Sequence, residues 1–330
     1  MHTPLIIKNT RNCQDYPWHP SVVYAKEGWN GHRWWMAQTP FPPFEKEPYR
    51  DRFELPCVHF SDDGIKWEPI PGNPLEDLFP DEIESHNYYS DPHLIFVDGK
   101  LELYYRFTFL KERQLIDNKT LLLKRSSTDG IHWSDRTIIA DLRKQEDVDV
   151  WGDQIISQAI VLRDGEFRCY YVDRSSYLRG RRILFTESKD GENWSQYRIV
   201  ELKGAEIDPW HIDVQFYYDK YQMIVYDDGG SLFWFESEDG TLFQLVSEVL
   251  RPSKDRYSFY ADGLYRACSV RTDDDARVFF SAKRKDKTYI GQLQTNDRHH
   301  FNPVNGMTMV QWLPIIWKPL MKTTINRLLK

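Results

Sequence analysis

A seven-residue pattern, Ser-x-Asp-Gly-x-x-Trp, recurs along the chain and limits its fold more than any other feature. It reads SDDGIKW at Ser61–Trp67, STDGIHW at Ser127–Trp133 and SKDGENW at Ser188–Trp194, and returns as SEDGTLF at Ser237–Phe243, where Phe243 stands for the tryptophan. Asp bonds the backbone ahead of it and Gly takes positive φ, which together make a tight hairpin end with a bulge. One such turn is ordinary, but four at intervals imply a repeated structural unit.

Each turn follows an apolar run, a turn and a second apolar run, as in DPHLIFVDGKLELYYRFT from Asp91 and HIDVQFYYDKYQMIVYDD from His211. The units start at residues 19, 91, 157, 211 and 262, and the fifth lacks the Asp-Gly-Trp ending. Their spacings of 72, 66, 54 and 51 residues hold three or four antiparallel strands each, which predicts an all-β, five-bladed β-propeller over residues 1–310. Two stacked β-sandwich domains are the alternative; the even march of units and the lack of a Pro/Gly/Ser-rich linker argue against it. The aromatic content of 15%, with 12 Trp, 19 Tyr and 18 Phe, suits strands, and the turn tryptophans are expected to fill space between blades. The proline-rich insertion TPFPPFEKEPYRDR, residues 39–52, is placed as a rim loop.

Net charge is −7, which supplies no basic field for a nucleic acid. Cys13, Cys57, Cys169 and Cys268 lie far apart and read as free thiols. The first sixteen residues hold only a short apolar patch, Leu5–Ile7, so a cytoplasmic location is the default expectation. The segment 311–330 reads as a tail: Pro314 and Pro319 rule out a continuous helix before Leu320, with amphipathic helix expected after it. Docking on the propeller or weak contact with a membrane surface, through Trp312, Trp317 and basic neighbours, are its two readings.

In a propeller the innermost strands converge on one axis. Aligning the units by their first apolar run places His19, Asp91, Ser157, His211 and Asp262 at equivalent positions, followed two residues on by Ser21, His93, Ala159, Asp213 and Leu264. Histidines and carboxylates where the register calls for apolar residues point to a central site, although an Asp before Pro, as at Asp91, also caps turns. A divalent cation held by His19, Asp91, His211 and Asp262 is an option, weakly signalled because close His-x-His spacing is absent, and no metal is assigned. No GxSxG, GxxxxGK[ST] or GxGxxG motif occurs.

The Ser-x-Asp-Gly repeats, the YYSDPHLIF strand and the WHIDV strand resemble the five-bladed propeller glycosidases, the superfamily of arabinofuranosidases, xylosidases, invertases and levansucrases, over most of residues 17–295. The resemblance implies glycosidic chemistry by two carboxyl groups, one protonated and one ionised. Asp91, in SDP, matches the supporting aspartate of invertase-like members. The first-blade position holds His19 instead of Asp, and the third-blade strand offers Gln158 where a Glu acid is expected. Asp213 sits on the fourth inner strand, while Asp15, Glu84, Asp153 and Asp262 precede inner strands and could substitute.

The expectation is therefore hydrolysis or transfer at a glycosidic bond of an oligosaccharide or polysaccharide. Asp91 or Asp213 acts as carboxylate, and His19 or His211 handles a proton. Trp18, Trp151, Trp210, Tyr260 and Tyr265 are candidate sugar platforms, and His86 and Arg266 candidates for holding hydroxyls or an acidic substituent. Alternatives from other classes are a non-catalytic carbohydrate-binding propeller and a glycosyl-transferring enzyme of surface-polysaccharide biosynthesis.

Overall fold

The computed structural model describes residues 1–8, 16–43, 53–111, 114–174, 180–255 and 257–316. Its strands form five separate sheets arranged as the blades of a propeller. Blade 1 contains β1 (Ile6–Ile7), β2 (Ser21–Trp29), β3 (His32–Gln38), β4 (Cys57–Ser61) and β5 (Lys66–Pro69). After helix α1 (Pro80–Ser85), blade 2 contains β6 (Tyr88–Val97), β7 (Lys100–Lys111), β8 (Gln114–Ser127) and β9 (Thr137–Asp141). Helix α2 (Gln145–Trp151) leads to blade 3, with β10 (Ile156–Arg163), β11 (Glu166–Asp173), β12 (Arg182–Ser188) and β13 (Arg198–Ile199). Blade 4 contains β14 (Glu201–Lys203), β15 (Pro209–Tyr217), β16 (Lys220–Asp227), β17 (Leu232–Ser237) and β18 (Leu242–Leu250). Blade 5 contains β19 (Gly263–Arg271), β20 (Ala276–Arg284), β21 (Lys287–Thr295) and β22 (Asn302–Val304).

The inner strands β2, β6, β10, β15 and β19 each contact the next, and β19 meets β2 to close the ring. The N-terminal segment fastens that closure. Leu5 N–H donates to Ile290 O of blade 5 at 2.9 Å, while β1 pairs in parallel with β5 of blade 1. Five buried clusters fill the five spaces between blades. Each takes its aromatic residue from a repeated turn: Trp67 between blades 5 and 1, Trp133 between 1 and 2, Trp194 between 2 and 3, and Phe243 between 3 and 4.

The fifth space, between blades 4 and 5, is filled in part by Phe301. Phe301 ends a turn that its sequence, TNDRHHF, conceals. Thr295 Oγ1 accepts the Arg298 N–H at 2.8 Å, and Asp297 Oδ1 accepts those of His299 and His300 at 2.9 and 2.8 Å. The same bonds run from Ser61 to Gly64 at 2.9 Å and from Asp63 to Ile65 and Lys66 at 2.7 and 2.8 Å. Arg298 takes φ 63°, the left-handed value glycine supplies in the other copies. The fifth unit thus keeps the turn without Asp-Gly-Trp.

The tail differs from expectation. Residues 309–316 form a third helix, α3, with Pro314 inside it. Thr308 and Gln311 cap its start reciprocally, with Thr308 N–H donating to Gln311 Oε1 at 2.8 Å. Trp312 and Ile316 are buried against blades 4 and 5, and this packing holds the turn despite the proline. The expected helix after Leu320, Cys13 and Asp15 lie outside the described residues, as do residues 44–52 of the proline-rich insertion. Cys57, Cys169 and Cys268 are buried thiols in blades 1, 3 and 5, without disulfides. No described helix is long and apolar enough to cross a membrane.

Close packing explains why the turn needs glycine. A Cβ on Gly130 would lie 2.3 Å from Trp35 of the neighbouring blade, whereas one on Gly99, at a similar φ of 76°, would meet nothing within 4 Å. Gly130→Ala is therefore expected to cost about 2–4 kcal/mol, from overpacking added to φ strain, and Gly99→Ala about 1 kcal/mol. Urea unfolding of both variants measures the difference; equal losses would show that blade-to-blade approach is not the reason.

Candidate functional site

Polar residues reach the axis because the inner strands bulge as they enter it. Irregular register lies between Ser90 and His93, Ile156 and Ala159, Pro209 and His211, and Leu264 and Ala267. His19, Asp91 and Ser157 hold φ of 52°, 51° and 54°, which turns their side chains inward at a strain of about 1–3 kcal/mol each. The fifth member of this layer is Tyr265, three residues later than expected. Leu264 is committed to the core between blades 4 and 5, so the bulge after it presents Tyr265 to the axis. Asp262 stands outside this layer, exposed and lining a neighbouring cleft, its Oδ2 accepting the Lys285 N–H at 2.5 Å. By the same shift Ala267, not Leu264, belongs to the second layer.

The first layer is compact and buried. His19 and His211 have ring centroids 5.5 Å apart, and Tyr265 lies 4.3 Å from His211 and 5.4 Å from His19. Asp91 Oδ1 is 3.4 Å from His211 Nδ1, while Oδ2 pairs with Arg106 Nε at 2.7 Å and accepts the Ser157 N–H at 3.2 Å. On the far side of His19, Nδ1 lies 2.8 Å from Thr39 Oγ1 and 3.3 Å from Glu54 Oε1. Tyr265 accepts a 2.6 Å hydrogen bond from Trp210 Nε1 and stacks on Trp18 at 5.1 Å.

Burial sets the charge states. It lowers the His19 pKa to about 3 and that of His211 well below 6.5, so both imidazoles are neutral at pH 7. Burial pushes the Asp91 carboxyl up, but Arg106 chiefly, with the neighbouring histidines, outweighs it and holds Asp91 well below the usual range. Glu54 is raised well above its usual range by burial and then by the Asp91 charge. Burial likewise raises the Tyr265 hydroxyl, which stays protonated.

One nitrogen of each histidine and one Asp91 oxygen lie within 4.8 Å of one another. His19 Nε2, both nitrogens of His211 and Asp91 Oδ1 are buried and make no hydrogen bond to a described residue. Two neutral imidazoles and one carboxylate, with candidate coordinating atoms this close together and unbonded, fit a divalent metal ion. The Glu54 and Thr39 contacts on His19 Nδ1 are of the kind that orients a ligating imidazole. Asp262, the fourth ligand of the sequence reading, is not part of the group.

Several expected site residues lie elsewhere. Asp213 is one layer deeper and fully buried, its Oδ2 accepting the Ser269 N–H at 2.9 Å and its pKa raised to about 6 by burial. Gln158 Nε2 donates to the Asp91 carbonyl, a structural link between blades 2 and 3. Arg266 is fully buried among the charges of Asp91 and Asp213. Trp151 packs on Tyr171 and Trp194 between blades 2 and 3, because α2 turns it inward, and Tyr260 packs on Phe259 and Phe280. Trp210 has one face covered by Arg181, 3.9 Å from its centroid. Glu84 and His86 stay on and just after α1, and Asp153 lines a separate polar pocket with Arg182 and Tyr197.

Tyr265 of the first layer also lines a cleft of 570 Å³, walled by Trp18, Phe41 and Tyr226 on one part and by Asp262, Lys283, Lys285 and Asp286 on another. Its size and aromatic lining suit a sugar. Sequence reasoning missed Arg106, Glu54 and Thr39. Arg106 carried a signal, an arginine inside the apolar strand LELYYRFTF, whereas Glu54 and Thr39 border the proline-rich insertion and carried none.

No protein-family model matches the chain. Its sequence is similar to the A type blood N-acetyl-α-D-galactosamine deacetylase of Flavonifractor plautii, 23% identical over 342 aligned residues covering 86% of this chain and 42% of that protein. The chain thus spans about two fifths of the length of that curated relative. Among solved structures, an N-acetylgalactosamine deacetylase from F. plautii in complex with blood group B trisaccharide superposes with a TM-score of 0.68 at 20% identity, covering 96% of both chains. The RS223 β-xylosidase superposes at 0.59 and 11% identity over 90% of this chain and 98% of that one. The GH43 BlXynB protein of Bacillus licheniformis does so at 0.58 and 13% identity, over 88% and 55%. The chain has the fold of the five-bladed propeller glycosidases, carried by a divergent sequence, and shares it with enzymes that act on carbohydrates.

The Asp91–Arg106 pair has a pH signature. A depressed folded pKa contributes stability that is present above the unfolded value near 4 and is lost as pH falls below it. Arg106→Met, which strands the buried carboxylate, should cost about 3–5 kcal/mol at pH 7, with the gap to wild type narrowing toward pH ~4 as the stranded Asp91 carboxyl protonates in the folded variant while the paired one stays ionised. Denaturation midpoints at the two pH values read this out.

Proposed function

We propose that the chain is a metal-assisted hydrolase that removes an acyl group, such as N-acetyl, from a sugar held in the aromatic cleft. The observation that carries this reading is the buried group of His19, Asp91 and His211, with unbonded coordinating atoms close together beside Tyr265, which also lines the cleft. Glycosidic cleavage needs two carboxyl groups flanking one bond. Here Asp91 is committed to Arg106, Glu54 is turned to the back of His19, and Asp213 lies a layer deeper. Imidazoles with so low a proton affinity are poor bases at neutral pH and good ligands. The deacetylase activity named for the F. plautii relative supports the same reading.

A bound divalent ion would supply Lewis acidity, polarising an acyl C=O and making water acidic enough to react near neutral pH. The protein residues divide the remaining work. Arg106 keeps Asp91 ionised, and Thr39 and Glu54 fix the His19 ring with Nε2 toward the site. Tyr265 accepts from Trp210, which leaves its O–H to donate to the oxyanion that develops at the acyl carbon. Trp18, Phe41 and Tyr226 pack the sugar and keep water out. Water adds to the acyl carbon as the C–N bond breaks, and the amine leaves with a proton.

Two experiments test this. Elemental analysis should find about one divalent metal per chain, with acetate released from N-acetylhexosamine-terminated glycans and no nitrophenol from nitrophenyl glycosides. His211→Ala and Asp91→Asn should lose both metal and activity, the latter by about 100-fold or more. Nitrophenol release without acetate would restore the glycosidase reading, and sugar binding without turnover the non-catalytic one. Separately, Tyr265→Phe should lower kcat by roughly 100-fold with metal content unchanged, as loss of an oxyanion donor does.

A further inference from the structure

We infer that Arg181 is a positioning residue that acts on the site through Trp210, by strengthening the hydrogen bond that Trp210 gives to Tyr265. Its effect on turnover rests on the acyl-hydrolase reading, while the contact itself does not. Trp210 Nε1 donates to the Tyr265 hydroxyl at 2.6 Å, and the Tyr265 ring lies 4.3 Å from that of His211. The Arg181 guanidinium lies over the Trp210 ring, 3.9 Å from its centroid, whereas Arg174 stands 5.8 Å from the same point. A cation this close to the face of an indole draws on its π electrons, which makes the ring N–H a stronger donor. Tyr265 then accepts more strongly, and its own O–H is polarised toward the group it donates to.

Arg181 is held in this place across two blades. It immediately precedes β12 of blade 3, whereas Trp210 belongs to β15 of blade 4. Its guanidinium pairs with Asp208 Oδ2 at 2.8 Å and Asp228 Oδ2 at 3.1 Å, and its backbone N–H donates to Asp208 Oδ1 at 3.2 Å. The two aspartates are fixed in turn by the strand ends of blade 4. Asp208 N–H donates to Asp227 Oδ1 at 2.9 Å, and Asp228 N–H to Asp208 O at 3.0 Å.

Burial separates this arginine from an ordinary surface ion pair. The Arg181 side chain is 12% exposed, against 46% and 54% for its two aspartates, so the cation is drawn down onto the indole while its partners stay in water. Its Nε is buried and has no hydrogen-bond partner among the described residues, which leaves the ring face to offset the lost hydration. Asp208 and Asp228, Arg181, Trp210 and Tyr265 thus form one polarised chain from the surface of the propeller to the first layer.

Indole N–H nuclear magnetic resonance spectra of the full chain, with the Trp210 signal assigned by its loss in Trp210→Phe, test the inference. Arg181→Gln should move that signal to higher field as the hydrogen bond weakens, and lower kcat for acetate release about tenfold with KM and metal content unchanged. Arg181→Lys, which keeps a cation, should recover part of both effects. Asp228→Asn, a milder change at an exposed carboxylate, should move the signal in the same direction as Arg181→Gln. In the Trp210→Phe background Arg181→Gln should cost no further activity, because the two residues act as one unit. An unmoved Trp210 signal, equal losses in the Gln and Lys variants, or costs that add in the double variant overturn the inference. A signal that moves in a chain releasing no acetate supports the link and removes the acyl-hydrolase reading instead.

Discussion

The ion pair between Asp91 and Arg106 is the constraint around which the axis is organised. A carboxylate with no exposure to water is tolerated only when a cation and hydrogen bonds replace its hydration. Arg106 supplies the cation from the second strand of the same blade, and the Ser157 N–H supplies a bond from the next blade. Similar polar links join other neighbours around the ring. Ser21 Oγ accepts the Leu94 N–H at 2.9 Å, Ser157 Oγ donates to Ile212 O at 2.8 Å, and Asp213 accepts from Ser269. Apolar clusters set the blades face to face, and these short directional bonds fix their rotation about the axis. The positions of His19, His211 and Tyr265 follow from that rotation.

At the axis neutral histidines stand beside an ionised aspartate. Protonating either imidazole would place a further positive charge near Arg106 and Arg266, in a region already without solvent. The cluster therefore keeps its nitrogen lone pairs at neutral pH. Lone pairs that are buried, close together and unbonded are suited to a cation and unsuited to proton shuttling. The same argument separates two chemistries that share one fold. A Glu or Asp at the position of His19 would have given a second carboxyl facing the cup, with the prospect of acid–base cleavage.

The fold was legible in the sequence because its repeated signal is a local turn whose chemistry depends on three residues within four positions. Where that chemistry changed partners, the signal vanished: Thr295, Asp297 and Arg298 make the fifth turn with no glycine, since Arg298 bears the left-handed φ itself. The first layer was legible in four blades out of five. The error at Asp262 came from counting apolar residues across a bulge, which sequence alone does not locate, and it hid Tyr265's place in the layer. Trp151 and Tyr260 show a second limit. A large aromatic beside a predicted site has the same composition whether it faces the cup or the core, and only the direction of α2 or the packing around Phe259 decides.

Arg106, Glu54 and Thr39 expose a third limit, which concerns how a buried site is supported. Residues on inner strands share a register and can be found by alignment of the units, but their partners come from second strands and from loops that differ in every blade. Arg106 pairs across the sheet from the Ser90 position, and Glu54 returns from the proline-rich insertion to reach the back of His19. Such partners decide whether an aspartate is ionised and which nitrogen of an imidazole faces the cleft. A repeated scaffold can therefore keep its inner-strand positions while a few second-strand and loop residues change the reaction it supports. In this chain the first blade carries histidine where the expected carboxyl would stand, and Glu54 lies behind it, its Oε1 3.3 Å from His19 Nδ1 on the side away from Asp91 and His211.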